Sequence, residues 1–157
     1  MRQVFITLTA VLALAACGPS QTDGWTQTNT AAEITLAKQE AADMQPFRLV
    51  CAKAGPALTL TAGVTQVGMS NMAPPFALVL SGATFPATLV PGSDRAETFS
   101  ATAPLSGDML AAVRDATTVR ISVNDGYAFA ESAIDQGQVF EKFATDCATL
   151  TGVAAKP

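Results

Sequence analysis

Short runs rich in β-branched and aromatic residues, separated by glycine and proline, fill the chain from residue 47 to residue 123. Runs of this length and composition, bounded by turn-forming residues, are typical of β-strands. They restrict the fold to one built around a sheet. We predict strands at Phe47 to Ala52, Ala57 to Thr61, Val64 to Met69, Phe76 to Ser81, Thr84 to Val90, Thr98 to Ala103 and Thr117 to Val123.

A loop at residues 69–75 interrupts these strands and carries two methionines and two prolines. Methionine most often fills irregular gaps in a core, so we expect Met69 and Met72 to be buried. Pro74 and Pro75 would then stiffen the turn. The other interpretation is that this loop forms a contact surface.

A short helix and a hairpin are predicted after the strand that ends at Ala103. Ser106 can cap a helix that runs from Gly107 to Asp115. The turn-forming sequence at residues 124–126, Asn-Asp-Gly, then predicts a tight hairpin into a strand at Tyr127 to Ala130.

A second helix is predicted near the end of the chain, where Asp135 and Gln138 have capping-box spacing. Its apolar residues recur at helical intervals along one face, at Val139, Phe143, Cys147 and Leu150. We therefore predict the α+β class: a single small domain, mainly antiparallel β-sheet, with a C-terminal amphipathic helix packed on it.

The segment at residues 30–45 predicts a further helix at the amino end. Thr30 and Glu33 have capping-box spacing, and residues 31–44 are rich in helix-forming residues. Pro46 would end this helix. Its apolar stripe is too short for a coiled coil, so we expect it to pack on its own domain.

The first 16 residues have the composition of an export signal. Arg2 supplies a positive charge, and the apolar run from Val4 to Ala15 is shorter than the roughly 20 residues that a membrane-spanning helix needs. The run leads into Leu-Ala-Ala-Cys at residues 14–17, which resembles the lipobox of bacterial lipoproteins. The resemblance implies cleavage after Ala16 and attachment of lipid, with acyl chains such as palmitate, to Cys17. The alternative is an ordinary secretory signal in which Cys17 carries no lipid.

Residues 17–29 are polar and rich in turn formers, and they show no apolar periodicity. We interpret them as the acylated cysteine and a flexible tether. Trp25, the only tryptophan, would then lie at the level of the lipid headgroups or fold back onto the domain.

Cys51 and Cys147 are the thiols that remain if Cys17 carries lipid. An exported chain reaches an oxidising compartment, so we predict a disulfide between them that closes a β-rich domain at residues 46–151. Two buried free thiols are the alternative. A zinc site would need further ligands, and the chain contains no histidine.

The composition argues against nucleic-acid binding and against the common catalytic mechanisms. The net charge is −4 without a basic cluster, so nucleic acid is not an expected partner. Without histidine, and without a recognisable nucleophile or nucleotide motif, we expect no enzymatic activity, metal or cofactor. Glu131 and Asp135 are the one carboxylate pair considered for acid–base work, but their position at a predicted helix start, like that of Asp108, favours capping.

The order of apolar residues in the last third of the chain resembles the C-terminal part of the invasion-associated locus B family. The matching stretches are Ala103-Pro104-Leu105, Met109 to Arg114 and Thr118 to Val123, followed by a closing helix. Members of that family are small exported proteins of Gram-negative bacteria. The resemblance implies a β-rich envelope domain and identifies no functional residue.

A second resemblance lies at Arg48 to Gly55, followed by Leu-Thr-Leu at residues 58–60. This arrangement is similar to the opening of membrane-bound lysozyme-inhibitor lipoproteins, which also pair an early with a late cysteine. It implies inhibition of a host or cell-wall lytic enzyme as an alternative function.

These features predict a non-enzymatic cell-envelope lipoprotein, a membrane-anchored periplasmic domain that binds a protein or glycan partner or has a structural role. A small-molecule carrier is a further alternative. Gly18, in place of the Asp that often follows the lipidated cysteine in proteins retained at the inner membrane, favours the outer membrane, facing the periplasm of a Gram-negative bacterium.

Overall fold

A computed structural model describes residues 24–38, 47–63, 75–90, 98–123, 127–134 and 137–157 of the chain. These residues form nine strands and two helices. The strands are β1 (Trp25–Asn29), β2 (Glu33–Lys38), β3 (Phe47–Ala52), β4 (Ala57–Gly63), β5 (Phe76–Leu80), β6 (Ala83–Leu89), β7 (Thr98–Pro104), β8 (Thr118–Val123) and β9 (Tyr127–Ala133). The helices are α1 (Gly107–Arg114) and α2 (Gly137–Thr151).

The strands form one antiparallel sheet in the order β1-β2-β3-β4-β7-β6-β5-β8-β9. Strand β6 joins two parts of this sheet, because its first five residues pair with β5 and its last two pair with β7. Pro86 lies where β6 pairs with β5 alone, and a residue without an N–H group suits such a half-paired position. A strand that passes from one set of partners to the other produces a corner in the sheet.

The two ends of the strand order approach each other in space. Lys38 on β2 donates a hydrogen bond from Nζ to Oγ of Ser132 on β9, over 3.0 Å. The sheet is therefore curled strongly enough to enclose one hydrophobic core.

Alternation along the strands decides which side chains enter this core. On β3, Phe47, Leu49 and Cys51 are buried, whereas Arg48 between them is exposed. Helix α2 packs on the inner face of β1, β2 and β3, and α1 packs against α2. The predicted α+β class, with a C-terminal helix on an antiparallel sheet, is confirmed.

The predicted helix at residues 30–45 is wrong where the structure describes this segment. Residues 33–38 form β2, which pairs with β1 and β3, and residues 39–46 lie outside the described part of the chain. Glu33 N–H donates to Thr30 Oγ1 over 2.9 Å, as in a capping box. Thr30 N–H, however, donates to the Glu33 carbonyl over 2.8 Å, so the same pair closes a hairpin turn. Burial of Ile34 and Leu36 on one sheet face outweighs the helix propensity of this segment.

The predicted tether at residues 17–29 is also wrong at its C-terminal end. Residues 25–29 form β1, and Trp25 is only 3% exposed. Of the two positions considered for Trp25, the structure shows the one folded back onto the domain. Residues 17–23 lie outside the described residues.

The other predicted strands and helices agree with the structure within a few residues where they are described. The predicted strand at Val64 to Met69, residues 69–74 of the following loop and the turn at residues 124–126 lie outside the described part. Strands β8 and β9 nevertheless pair antiparallel, as the hairpin requires. Ser106 Oγ accepts a hydrogen bond from Met109 N–H and caps α1 as predicted.

Helix α2 presents a somewhat different face to the core from the predicted one. Phe143 and Cys147 are buried as expected, but their companions are Phe140 and Ala144. Val139 and Leu150 are partly buried at the margins of this face. Asp135, of the capping box predicted for this helix, lies outside the described residues.

Candidate functional site

A groove of about 360 Å³ lies on the outer face of the sheet, where β5 runs between β6 and β8. The cross-strand register builds it. Ala77 on β5 pairs with Pro86 on β6 and with Ser122 on β8, and Val79 pairs with Thr84 and Arg120. These residues alternate with Leu78 and Leu80, which enter the core.

The floor of the groove is apolar, although it faces away from the core. Val79 is only 3% exposed, and Ala77 is half-buried beside it. Pro86 and Pro75 contribute further apolar surface. An apolar floor with a few polar groups at its margin is typical of ligand-binding sites.

Arg120 is the charged residue of the groove. Its side chain is 32% exposed, and Nη1 lies 4.0 Å from Oε2 of Glu131 on β9. This separation is longer than a hydrogen bond. The Nε atom of Arg120 is buried, and no residue in the described ranges accepts a hydrogen bond from it. Such a buried donor is a costly group to leave unpaired. The rest of the side chain is partly exposed, and Glu131 is too distant to hydrogen-bond Nη1, so the guanidinium group can receive an acceptor from a ligand.

The two cysteines predicted to pair form a disulfide. Cys51 on β3 and Cys147 on α2 are fully buried, with their Cα atoms 6.0 Å apart. The bond fastens α2 to the inner face of the sheet and joins two cysteines that lie 96 positions apart in the sequence. Cys17, the predicted lipid attachment site, lies outside the described residues.

The carboxylates considered for acid–base work are not brought together in the described structure. Glu131 is exposed on β9 and faces Arg120, so the prediction that it lies at a helix start is wrong. Asp135 lies outside the described residues. Asp108 does lie in the first turn of α1, as predicted, where it forms an ion pair with Lys156 at 2.9 Å.

A second polar cluster joins the N-terminal strand to the last helix. Asp146 on α2 accepts hydrogen bonds from Lys142, from Asn29 at 3.0 Å and from Gln27 at 2.6 Å. The bonds from Lys142 and Asn29 hold the pKa of Asp146 below its usual value. These donors all bond to Asp146 within the fold, although Gln27 Oε1 is buried without a partner among the described residues, so we interpret the cluster as structural.

The described residues contain no group of three or more His, Cys, Asp or Glu side chains placed to hold a metal ion. No helix within the described ranges is long and apolar enough to cross a membrane. Comparison with known proteins finds no matching family model, no similar curated protein and no similar solved structure.

The sequence pattern predicted neither the groove nor the presence of Arg120 in its lining. A charged residue between Val119 and Ile121 signals an outward-facing position on a strand, so the side on which Arg120 lies was predictable. The residues beside Arg120 were not predictable from the sequence, because Val79 and Glu131 lie on other strands. Pro75, the described end of the loop considered as a contact surface, lines the groove.

Proposed function

We propose that this protein is a non-enzymatic lipoprotein of the bacterial cell envelope whose β domain binds a ligand or partner in the groove beside Arg120. The observation that carries the binding proposal is the apolar groove itself, with the partly exposed guanidinium group of Arg120 at its margin. The anchor rests on Leu14 to Cys17, which resembles a lipobox, and on the apolar run that precedes it.

The fold would hold this domain close to the bilayer. Since β1 begins at Trp25, the segment from Cys17 to the domain has a fully extended length of at most about 28 Å. The predicted tether, which ends at residue 29, would have an extended length about one and a half times as great. Two or three acyl chains on Cys17 would make the attachment stable, where a single chain is marginal. We place the domain on the periplasmic side of the outer membrane.

Replacement of the acylated cysteine tests the anchor. We expect Cys17→Ser to move the protein from the membrane fraction to the soluble periplasmic fraction on cell fractionation. The control Ser20→Ala changes the same segment but leaves the cysteine in place, so it should stay in membranes. If the Cys17→Ser protein remained membrane-bound, or if the mature wild-type protein showed no lipid mass, the anchor assignment would be wrong.

Recovery of bound molecules from the native protein tests the groove. We would purify the wild-type protein from membranes in mild detergent and identify co-purifying small molecules and proteins by mass spectrometry. Ala77→Leu fills the groove and should abolish their recovery. Ala52→Leu makes the same change on the outer face of β3, beyond the groove, and should not. Equal recovery from both variants would refute binding at this site.

The size of the groove favours the small-molecule carrier among the alternatives. A stable protein interface buries about 800 Å² on each partner, whereas small-ligand sites enclose about 300–1,000 Å³. The volume of about 360 Å³ lies at the lower end of the latter range. A protein or glycan partner would have to extend well beyond the groove.

A further inference from the structure

The volume of the groove limits the size of a ligand. At about 30 Å³ for each non-hydrogen atom, as in liquid water, the available 360 Å³ accommodates on the order of a dozen such atoms. This is the size of a short acyl chain or a single substituted ring. Larger ligands would have to leave part of their surface outside.

The floor of the groove selects an apolar body for this ligand. Ala77 and Pro86 present only carbon atoms from their side chains, and covering them removes apolar surface from water, whereas Val79 beneath them is already buried. Thr84 and Ser122 lie at their margins and offer hydroxyl groups. A ligand that is polar throughout would lose hydration here without gaining matching contacts.

Arg120 selects the polar end of the ligand. A carboxylate can accept hydrogen bonds from a guanidinium group, and the Arg120 side chain is 32% exposed at the groove, with Nη1 too far from Glu131 for a hydrogen bond. Glu131, 4.0 Å from Nη1, already offsets part of the positive charge. Its charge would repel a dianion such as a phosphate monoester more than a monoanion.

We infer that the groove binds a small amphipathic monocarboxylate, with the carboxylate on Arg120 and the apolar body over Ala77 and Pro86. This inference rests on the proposed function, because it names the ligand class of the same site. The carboxylate forms a charge-assisted pair with the guanidinium group at the half-buried margin, and the apolar body of the ligand removes the exposed surface of Ala77 and Pro86 from water.

Titration calorimetry with octanoate tests the ligand class. Octanoate has about ten non-hydrogen atoms and fits the estimated volume. We would use the full-length exported Cys17→Ser protein, to work without detergent. We expect octanoate to bind at least about tenfold more tightly than octanol or octylamine, which share its chain but lack the carboxylate. Equal affinity for all three would overturn the inference.

Variants of the charged pair test the pose. Arg120→Gln should weaken octanoate binding about tenfold or more, to the level of octanol. Arg48→Gln is the matched control, because Arg48 also lies on the outer face of the sheet beside a carboxylate, 3.6 Å from Glu33, but outside the groove. It should leave octanoate affinity unchanged. Glu131→Gln removes the competing carboxylate and should tighten octanoate binding. An unchanged affinity in Arg120→Gln would refute the assignment.

Two further measurements separate the possible failures. Unchanged emission of Trp25, the only tryptophan, shows that a variant keeps the native core. If octanoate fails to bind while Ala77→Leu still abolishes recovery of a native partner, the ligand class is wrong and the proposed binding function stands. If neither octanoate nor any native partner depends on the groove, both proposals are wrong.

Discussion

Replacing Trp25 with Ala tests the clearest departure of this fold from its sequence pattern, the burial of the N-terminal strand. In a flexible tether, Trp25 would contribute nothing to the stability of the domain. In the structure it is 3% exposed and lies edge-on to two rings. The ring centroids of Trp25 and Phe140 are 4.9 Å apart, and those of Trp25 and Phe47 are 6.2 Å apart.

The expected loss follows from these contacts. Truncating a buried aromatic residue to Ala usually costs about 3–5 kcal/mol, of which each edge-on ring pair supplies about 0.5–1.5 kcal/mol. Trp25 Nε1, however, is buried and has no hydrogen-bond partner among the described residues, so its removal recovers part of the cost. We therefore expect Trp25→Ala to lower the free energy of unfolding by about 3 kcal/mol. That is a large share of the stability of a single domain.

Urea unfolding followed by circular dichroism measures this change. Thr28→Ala is the control, because Thr28 is exposed on the same strand, and we expect it to change stability by less than about 0.5 kcal/mol. Phe140→Ala provides an independent readout, since loss of its ring should shift Trp25 emission to longer wavelength. A Trp25→Ala protein as stable as Thr28→Ala would refute the packing of β1 against the core.

Three other predictions concern the stability of the domain. Replacing Cys51 and Cys147 together with Ala should lower the unfolding free energy by about 4–5 kcal/mol, because the disulfide spans 96 residues; an unchanged urea midpoint would contradict this. The pKa of Asp146 is lowered in the folded protein, mainly by Lys142, so its stabilisation is present above its unfolded pKa near 3.8 and is lost as the pH falls through the folded value. Asp146→Asn should therefore be less stable than wild type at pH 7, and the difference should shrink in urea titrations below about pH 4. Ser106→Ala should lower the free energy of unfolding by about 1 kcal/mol, because it removes the cap of α1. Ser106→Asp can still cap the helix and should keep most of the wild-type stability in thermal unfolding.

The local sequence pattern was sufficient to predict most of the secondary structure. Residues 47–52 alternate between buried and exposed positions, and this period of two determines both the strand and its inner face. Ser106 and the apolar residues after it define α1 in the same way. The disulfide followed from the small number of cysteines together with the inference of export.

Residues 30–38 show where local pattern was insufficient. Their composition favours a helix. The hydrogen bond from Glu33 N–H to Thr30 Oγ1 is compatible both with a helix capping box and with the hairpin turn that forms here. What decides for a strand is the neighbouring strand β3, whose register places Ile34 opposite Cys51 and Leu36 opposite Leu49. These contacts are non-local, so the propensity of the segment itself did not reveal them.

Local sequence did not predict the candidate site for the same reason, because the site is formed by non-local contacts of the tertiary structure. The sequence by itself determined that Arg120 points away from the core, through the alternation of β8. Only the folded sheet places Val79 on one side of it and Glu131 on the other, because hydrogen bonding between strands sets the register. A groove on a sheet is made by residues from several strands, and their proximity is created by pairing that no single segment encodes.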